Sequence, residues 1–234
     1  MIIDMHAHSS GISTCCLVPY DAAIRAARDV GLDGIVLTNH YTISYVVGDA
    51  AAFAEEYVNE FRLAKAYGDE IGMKVFFGIE VTMEQYGGAH LLLYGVPEDF
   101  PKRYPELYDM TLAELRPLVK QHGGAMIQAH PYRRKKNLLD VAYLDGVEVN
   151  CHPQYGKSDS ANMVAIAEEN DLILTCGGDY HADTYRPHCG TFLPDDMTGE
   201  EIGAYLIGAD SIKLRIHEPK TETAYDYTYR RPRA

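Results

Sequence analysis

Short, nearly continuous hydrophobic runs recur along the chain and alternate with longer amphipathic stretches. Continuous apolar character over about four to eight residues is typical of parallel strands that are buried on both faces. Such runs predict strands at residues 2–5, 34–38, 74–79, 90–94, 125–128, 146–149, 172–175 and near 211–216. We therefore expect a sheet that is covered on both sides.

The intervening stretches carry the signals that begin and end helices. Pro19 and Gly31 bracket one of them, and Thr111 with Glu114 has the pattern of a capping box. Helices are predicted at residues 20–30, 51–68, 111–122, 160–170 and 198–208. Alternating strands and helices are typical of an α/β fold with a parallel sheet inside a layer of helices. The length of 234 residues and the strand count favour one closed barrel domain at residues 1–217, with a peripheral polar tail at 218–234.

Histidines and acidic residues lie at the ends of these predicted strands. Most follow a strand directly, and one opens the fourth strand. The residues are His6, His8, His40, Glu80, His90, His130, Asp179 and His181. Ligands from separate strands converge at the C-terminal rim of an α/β barrel, so we expect these side chains to meet there. Imidazoles and carboxylates bind zinc, manganese or iron, and the sequence therefore predicts a divalent-metal site.

Each of these residues also has a simpler explanation. The His6 and His8 pair could be two hydrogen-bonded core histidines, His130 could end a strand, and Asp179 could cap a helix. All such explanations would have to hold together to remove the site, whereas one metal centre accounts for the whole set. We therefore predict the metal centre.

Six segments resemble the motifs of the PHP (polymerase and histidinol phosphatase) phosphoesterases and follow the family's order. They are residues 4–9 (DMHAHS), 38–40 (TNH), 78–80 (GIE), 89–92 (AHLL), 129–133 (AHPYR) and 177–181 (GGDYH). The resemblance covers about residues 2–190. It implies a single-domain, distorted (β/α)7 TIM-like barrel and a hydrolase that cleaves phosphate esters by attack of a metal-activated hydroxide.

The resemblance also implies how the ligands divide among two or three divalent ions. One ion would be held by His6, His8, Glu80 and Asp179. Glu80 would bridge to a second ion, which His90 and His130 complete. A third site would use His40 and His181. The residues expected to take part in catalysis are His40, His181 and Asp179, with a histidine protonating the leaving group if the third site is empty.

Two departures from the family pattern concern the third site and its surroundings. Residues 10–16 lack the usual histidine or aspartate, so Thr14, a thiolate of Cys15 or Cys16, or a water would have to substitute. The cysteines could equally be ordinary packing residues. Asn39 stands where the motif has aspartate, and it can still hydrogen-bond to orient a histidine. Glu148 could support the ligands in the same way or simply end a strand.

Arginines near the rim are the expected phosphate ligands, because a guanidinium forks onto phosphate oxygens. Arg133 is the first choice and Arg186 the second, with a solvated surface position as the alternative for each. Only residues 81–129 separate the glutamate from the next histidine motif, which indicates a small, open pocket. The expected substrate is a small phosphate ester, such as histidinol phosphate or a sugar or nucleotide phosphate.

Composition and charge limit the binding partners and the cellular compartment that we expect for the protein. The formal charge of −13 disfavours binding to a nucleic-acid polymer. The sequence contains neither an apolar run long enough to span a membrane nor a recognisable signal peptide, so we expect no membrane partner. The five scattered cysteines predict free thiols and a reducing cytoplasm. The sequence indicates no oligomeric state.

Two other functions stay open. Amidohydrolase-type C–N hydrolases also begin with His-x-His on a barrel strand, but they usually bridge their metals with a carboxylated lysine. Here a glutamate and an Asp-x-His pair are present instead, which favours a phosphoesterase. A non-catalytic PHP-type metal-binding module is the other alternative.

Overall fold

One mixed sheet organises the molecule into a nearly closed barrel. The computed structural model describes residues 1–133, 138–218 and 220–233, without the side chains of residues 157 and 158. The strands in this part of the chain are β1 (Ile2–Ala7), β2 (Gly34–Leu37), β3 (His40–Tyr41), β4 (Lys74–Met83), β5 (Ala89–Tyr94), β6 (Ala125–Gln128), β7 (Gly146–Asn150), β8 (Ile173–Gly177), β9 (Gly190–Phe192), β10 (Ser211–Glu218) and β11 (Thr223–Arg230).

Seven of these strands form the barrel wall in the order β1-β2-β4-β5-β6-β7-β8. The barrel closes just past the end of β8, where Tyr180 pairs with Ala7 at the end of β1. The His8 N–H donates to the Tyr180 carbonyl at 3.2 Å, and the Tyr180 N–H donates to the His6 carbonyl at 3.4 Å. This arrangement confirms the predicted distorted (β/α)7 TIM-like barrel.

The direction of β5 differs from the prediction. This strand runs antiparallel to both of its neighbours, β4 and β6. The start of β5 therefore lies at the rim where the parallel strands end, which brings His90 to the other histidines. The prediction of an all-parallel sheet was wrong, because a continuous apolar run reports burial on both faces and carries no information about strand direction.

Antiparallel strands β9, β10 and β11 extend the sheet beyond β1. The segment predicted as a polar tail contains β11, an edge strand that the sequence analysis missed. Most of its residues are exposed, but Tyr229 is fully buried and its hydroxyl donates to the Leu172 carbonyl at 2.8 Å. Because the strand has few aliphatic residues, its hydropathy resembles that of a surface loop.

The helices lie between the strands. They are α1 (Tyr20–Asp29), α2 (Ala50–Ile71), α3 (Phe100–Arg103), α4 (Leu112–Gln121), α5 (Lys157–Glu169) and α6 (Glu201–Gly208). All but the four-residue α3 were predicted. Before α4, the Thr111 hydroxyl accepts a hydrogen bond from the Glu114 N–H at 3.3 Å, which confirms the capping box. Among the described residues, no helix is both long and apolar enough to cross a membrane.

Helix α2 packs against β4 and steadies two segments that carry ligands. The Phe61 and Phe77 rings are in edge contact, with centroids 5.0 Å apart. The Tyr57 hydroxyl lies 2.6 Å from the Asn39 carbonyl and 3.1 Å from the Gly78 carbonyl. The helix therefore contacts the chain just before His40 and two residues before Glu80.

Candidate metal centre

All eight predicted ligands meet at one rim of the barrel. Strands or strand ends of β1, β3, β4, β5, β6 and β8 carry them. His90 and His181 are partly exposed, whereas the other six side chains are buried. The centre is therefore enclosed by protein on most sides and opens to solvent near these two imidazoles.

Four donor atoms form the tightest group. His6 Nε2 and His8 Nε2 are 3.0 Å apart, and each lies 3.3 to 3.4 Å from Glu80 Oε2 and from Asp179 Oδ1. Ligands about 2.0 to 2.1 Å from a zinc ion are about 3.4 Å apart in a tetrahedral arrangement. The four atoms therefore fit around one divalent cation.

The two oxygens of Glu80 face different groups of imidazoles. Oε2 belongs to the group just described and also lies 2.7 Å from His40 Nδ1. Oε1 lies 2.7 Å from His90 Nδ1 and 3.0 Å from His130 Nε2. A carboxylate that presents one oxygen to each of two ligand groups has the geometry of a bridge between two ions.

A third group of nitrogen donors lies beside His8. Ligand atoms of His8, His40 and His181 are within 4.8 Å of one another, and the His8 and His181 ring centroids are 4.1 Å apart. His181 Nδ1 donates to the Asp179 carbonyl at 2.8 Å, so Nε2 is the ring nitrogen available to a ligand. The geometry supports the third ligand group that the resemblance implies.

Unpartnered polar atoms mark the same centre. His40 Nδ1, Glu80 Oε2 and Asp179 Oδ1 are buried and make no hydrogen bond with any described residue, although they lie close to other polar atoms. A buried polar atom without a partner costs about 1 to 3 kcal/mol. Divalent cations would satisfy these atoms, and the residues present therefore fit a cluster of such ions.

Hydrogen bonds behind the ligands fix which ring nitrogen faces the centre. His6 Nδ1 donates to Glu148 Oε1 at 2.8 Å, and His8 Nδ1 donates to Ser13 Oγ at 3.0 Å. The Ser13 hydroxyl donates in turn to Asn39 Oδ1 at 2.9 Å, so its lone pairs accept from His8. Both imidazoles thus turn Nε2 toward the cation site. Ser13, which the sequence analysis missed, connects Asn39 to His8.

Glu148 accepts hydrogen bonds from His6 Nδ1, from the His130 N–H at 3.0 Å and from Asn150 Nδ2 at 3.0 Å. We expect Glu148→Gln to weaken metal binding about 10- to 100-fold, because the amide NH2 must face one of these donors. Competition with a chelator measures the affinity, and Glu169→Gln at the exposed end of α5 is the matched control. Equal affinities in the two variants, with a lower melting temperature only in Glu148→Gln, would show a purely structural role.

Without cations, protons on the imidazoles balance the buried carboxylates. Burial raises the pKa of Glu80, but His40 and His90 hold that pKa well below its usual value. Burial lowers the pKa of His40, and Glu80 raises it to about 9. Burial likewise lowers the pKa of His181, and Asp179 raises it to about 10. Cations must displace these protons, so metal affinity should fall as pH falls below these values.

Two ligands have left-handed backbone conformations that residues other than glycine rarely adopt. The φ angle is 30° at His130 and 50° at Asp179. Each conformation costs about 1 to 3 kcal/mol and persists only where surrounding contacts hold it. The His130 N–H is held by Glu148, and the Asp179 carbonyl accepts from the Tyr185 hydroxyl and from His181. Such strain concentrates at functional sites.

Cys15 lies beside the third ligand group. Its thiol is exposed at the rim and hydrogen-bonds with His181 and His40. Cys16 is buried instead, and its thiol donates to the Val18 carbonyl at 3.5 Å. Of these two vicinal cysteines, Cys15 is therefore the one in position to contact the third group.

We expect Cys15 to react with iodoacetamide at a nearly constant rate between about pH 6 and 8 in EDTA-treated protein. Burial raises the pKa of this thiol, but hydrogen bonds with His181 and His40 lower it to about 5, so the reactive thiolate dominates throughout. Peptide mass spectrometry locates the adduct, and Cys15→Ser is the control. A rate that rises about tenfold per pH unit, as for an ordinary thiol, would contradict the low pKa.

One of the two predicted phosphate ligands reaches the centre. Arg133 Nη1 lies 3.0 Å from Asp179 Oδ2 and 3.3 Å from His130 Nε2. Arg186 remains in its own loop, where Nη1 donates to the Tyr180 hydroxyl at 3.0 Å and to nearby backbone carbonyls at 2.9 and 3.0 Å. The structure thus places Arg133, but not Arg186, beside the candidate metal ligands.

Neither the protein-family models nor the curated protein sequences compared with the chain include a match. Solved structures do match it. A two-domain protein from Bacteroides vulgatus that contains a predicted PHP-like metal-dependent phosphoesterase has a TM-score of 0.66 and 15% identity, over 100% of this chain and 87% of that one. A candidate metal-dependent phosphoesterase from Bifidobacterium adolescentis has a TM-score of 0.54 and 18% identity. The match covers 89% of this chain and 96% of that one.

An amidohydrolase from Chromobacterium violaceum, with bound sulfate and no metal, has a TM-score of 0.53 and 14% identity, over 85% of this chain and 94% of that one. Identities this low establish a shared fold and leave the activity open. The fold that the six motifs led us to expect is therefore confirmed: this chain has the barrel of the PHP-like phosphoesterase structures.

Proposed function

We propose that the chain is a metal-dependent phosphoesterase that hydrolyses a small phosphate ester with two or three divalent ions, of zinc, manganese or iron. The position of Glu80 is the observation that supports this proposal most strongly. One carboxylate oxygen faces His6, His8 and His40, and the other faces His90 and His130. Paired ions held in this way would activate a water for attack on phosphorus and neutralise charge on the phosphoryl oxygens.

Two imidazoles are suited to protonate the leaving group. The imidazoles of His40 and His181 lie beside the carboxylates that would hold the ions, with His40 Nδ1 2.7 Å from Glu80 Oε2 and His181 Nδ1 3.2 Å from Asp179 Oδ1. His181 presents Nε2, because its Nδ1 donates to a backbone carbonyl. We assign this role to His40 or His181 when the third site, which would use both imidazoles, holds no ion.

Arg133 is the proposed phosphate ligand. Its guanidinium is mostly buried and faces Asp179 and His130, which are both in the proposed ligand set. Cations bound to those two side chains would take over the contacts that now hold the arginine. The guanidinium could then turn to a phosphoryl oxygen without leaving the rim.

A small cavity beside the centre supports a small substrate. It has a volume of about 80 Å³ and is lined by His130, Asn150 and Tyr155, among others. The Tyr155 hydroxyl is buried and has no partner among the described residues, so it is available to a polar leaving group. We propose that this cavity takes part of the leaving group of a sugar phosphate or an amino-alcohol phosphate. All five cysteines are free, and we propose the cytoplasm as the compartment.

The alternatives are an amidohydrolase and a non-catalytic metal-binding module. Turnover of p-nitrophenyl phosphate, bis(p-nitrophenyl) phosphate and p-nitroacetanilide, before and after EDTA, separates them. We expect chelator-sensitive hydrolysis of the phosphate monoester and none of the anilide. Hydrolysis of the anilide alone would favour C–N cleavage, and bound metal without turnover of any substrate would favour the non-catalytic module.

A further inference from the structure

Three buried cysteines from separate segments meet on the far side of β8 from the histidines. Cys151 follows β7, Cys176 lies within β8, and Cys189 precedes β9. Their exposed fractions are 2%, 0% and 0%. The three sulfur atoms lie within 4.8 Å of one another, and the Cys151 and Cys176 sulfurs are 3.6 Å apart.

Strand geometry separates this cluster from the metal centre. Side chains alternate between the two faces of a strand. Gly177 faces His6, since a Cβ at Gly177 would lie 2.5 Å from the His6 Cβ. Cys176 therefore points the other way, toward β10, where its thiol donates to the Arg215 carbonyl at 3.2 Å. The Cys176 thiol therefore points away from the histidine ligands, and the other two sulfurs lie within 4.8 Å of it.

We propose that Cys151, Cys176 and Cys189 form a second metal site, which takes one thiophilic divalent cation such as Zn²⁺. Thiolates about 2.3 Å from a tetrahedral zinc ion are about 3.8 Å apart, close to the separation of the Cys151 and Cys176 sulfurs. Soft thiolates select such cations over magnesium, calcium or manganese. Binding replaces one proton on each thiol, so three protons leave as the cation enters.

Charge favours a divalent cation over a monovalent one. Three thiolates with a divalent ion carry a net charge of −1, and with a monovalent ion −2, in a fully buried position where each uncompensated charge is costly. The His217 N–H already donates to Cys151 Sγ at 3.4 Å, which stabilises a thiolate there. The three sulfurs are therefore the ligands of the proposed site, and a backbone N–H beside Cys151 offsets part of their charge.

A cavity supplies the route of entry. It has a volume of about 400 Å³, and its lining includes Cys151, His217 and Glu222. The Glu222 carboxylate is 81% exposed and lies 3.5 Å from His217 Nε2. An acid and an imidazole at the mouth would attract a divalent cation and deliver it to the sulfur of Cys151. The site is thus reachable, although the three sulfurs themselves are buried.

Cadmium titration of reduced, EDTA-treated protein tests the proposal, because sulfur-to-cadmium charge transfer absorbs in the ultraviolet and histidine or carboxylate ligands give no such band. We expect the wild type to show the band, to saturate it with one cadmium ion and to lose it on addition of excess Zn²⁺. A folded wild type without the band would overturn the proposal. So would a disulfide between Cys151 and Cys176 in protein prepared under reducing conditions.

Two variants show which cysteines give rise to the sulfur-to-cadmium charge-transfer band. Cys189→Ala should weaken cadmium binding at least tenfold, whereas Cys15→Ser, which alters the one exposed cysteine near the histidines, should keep the full band. The opposite pattern would place the thiolate at the histidine centre and overturn the proposal. Circular dichroism confirms folding of each variant, and the wild-type spectrum still tests the proposal if Cys189→Ala fails to fold. The outcome does not depend on phosphatase activity.

Discussion

Replacing Glu80 by glutamine is expected to lower turnover of a phosphate ester by about 1000-fold, equivalent to about 4 kcal/mol of transition-state stabilisation. The side chain keeps its size but loses its charge, and its NH2 group must replace one of two oxygens that each face a group of imidazoles. A neutral amide cannot bridge two cations. Bound metal should therefore fall together with activity.

Glu84→Gln, an exposed position just after β4, is the matched control for this experiment. Elemental analysis and p-nitrophenyl phosphate turnover on the same preparations give the comparison. If Glu80→Gln retained full metal content and at least a tenth of wild-type turnover, Glu80 would not be the bridge. Glu84→Gln should match the wild type in both measurements.

Gly177→Ala is expected to destabilise the protein by about 3 kcal/mol, at the upper end of overpacking substitutions. A Cβ at this position would lie 2.5 Å from the His6 Cβ and 2.8 Å from both Glu148 Oε1 and the His6 backbone nitrogen. Backbone and a buried ligand cannot move aside cheaply where β8 meets β1. For a domain of this size the melting temperature should drop by about 6 to 12 °C.

The strain should also reach the metal centre, because His6 and Glu148 are the groups that the new methyl displaces. Metal affinity is therefore expected to decrease along with stability. Gly208→Ala is the matched control, since a Cβ there meets no atom within 4 Å and the residue ends α6. Equal melting temperatures for the two variants would show that the close approach of β8 to β1 can relax without cost.

The cluster of eight histidine, glutamate and aspartate side chains could be predicted from the sequence because each member lies in a short motif next to a hydrophobic run. Consecutive apolar residues indicate a buried strand, so β1, β6 and β7 were predicted close to their observed bounds. The capping box at Thr111 was equally local. Features that depend on adjacent residues were therefore accessible without the structure.

Features that depend on distant contacts were not accessible in this way. The direction of β5 follows from its antiparallel pairing with β4 and β6, and the residues of the strand do not indicate this direction. Ser13 gives no signal by itself, since its role appears only when His8 and Asn39 are placed around it. The cysteine cluster joins residues 151, 176 and 189, whose spacing matches no short metal-binding motif.

The number of manganese ions bound per chain tests the central claim most directly. Manganese prefers nitrogen and oxygen ligands to thiolates, so it reports on the histidine and carboxylate centre without filling the cysteine cluster. EDTA-treated protein is loaded with Mn²⁺, desalted, and measured by elemental analysis and electron paramagnetic resonance. Two or three ions per chain, at least two of them exchange-coupled through Glu80, are predicted. No bound manganese, or a single isolated ion, would contradict a carboxylate-bridged metal centre.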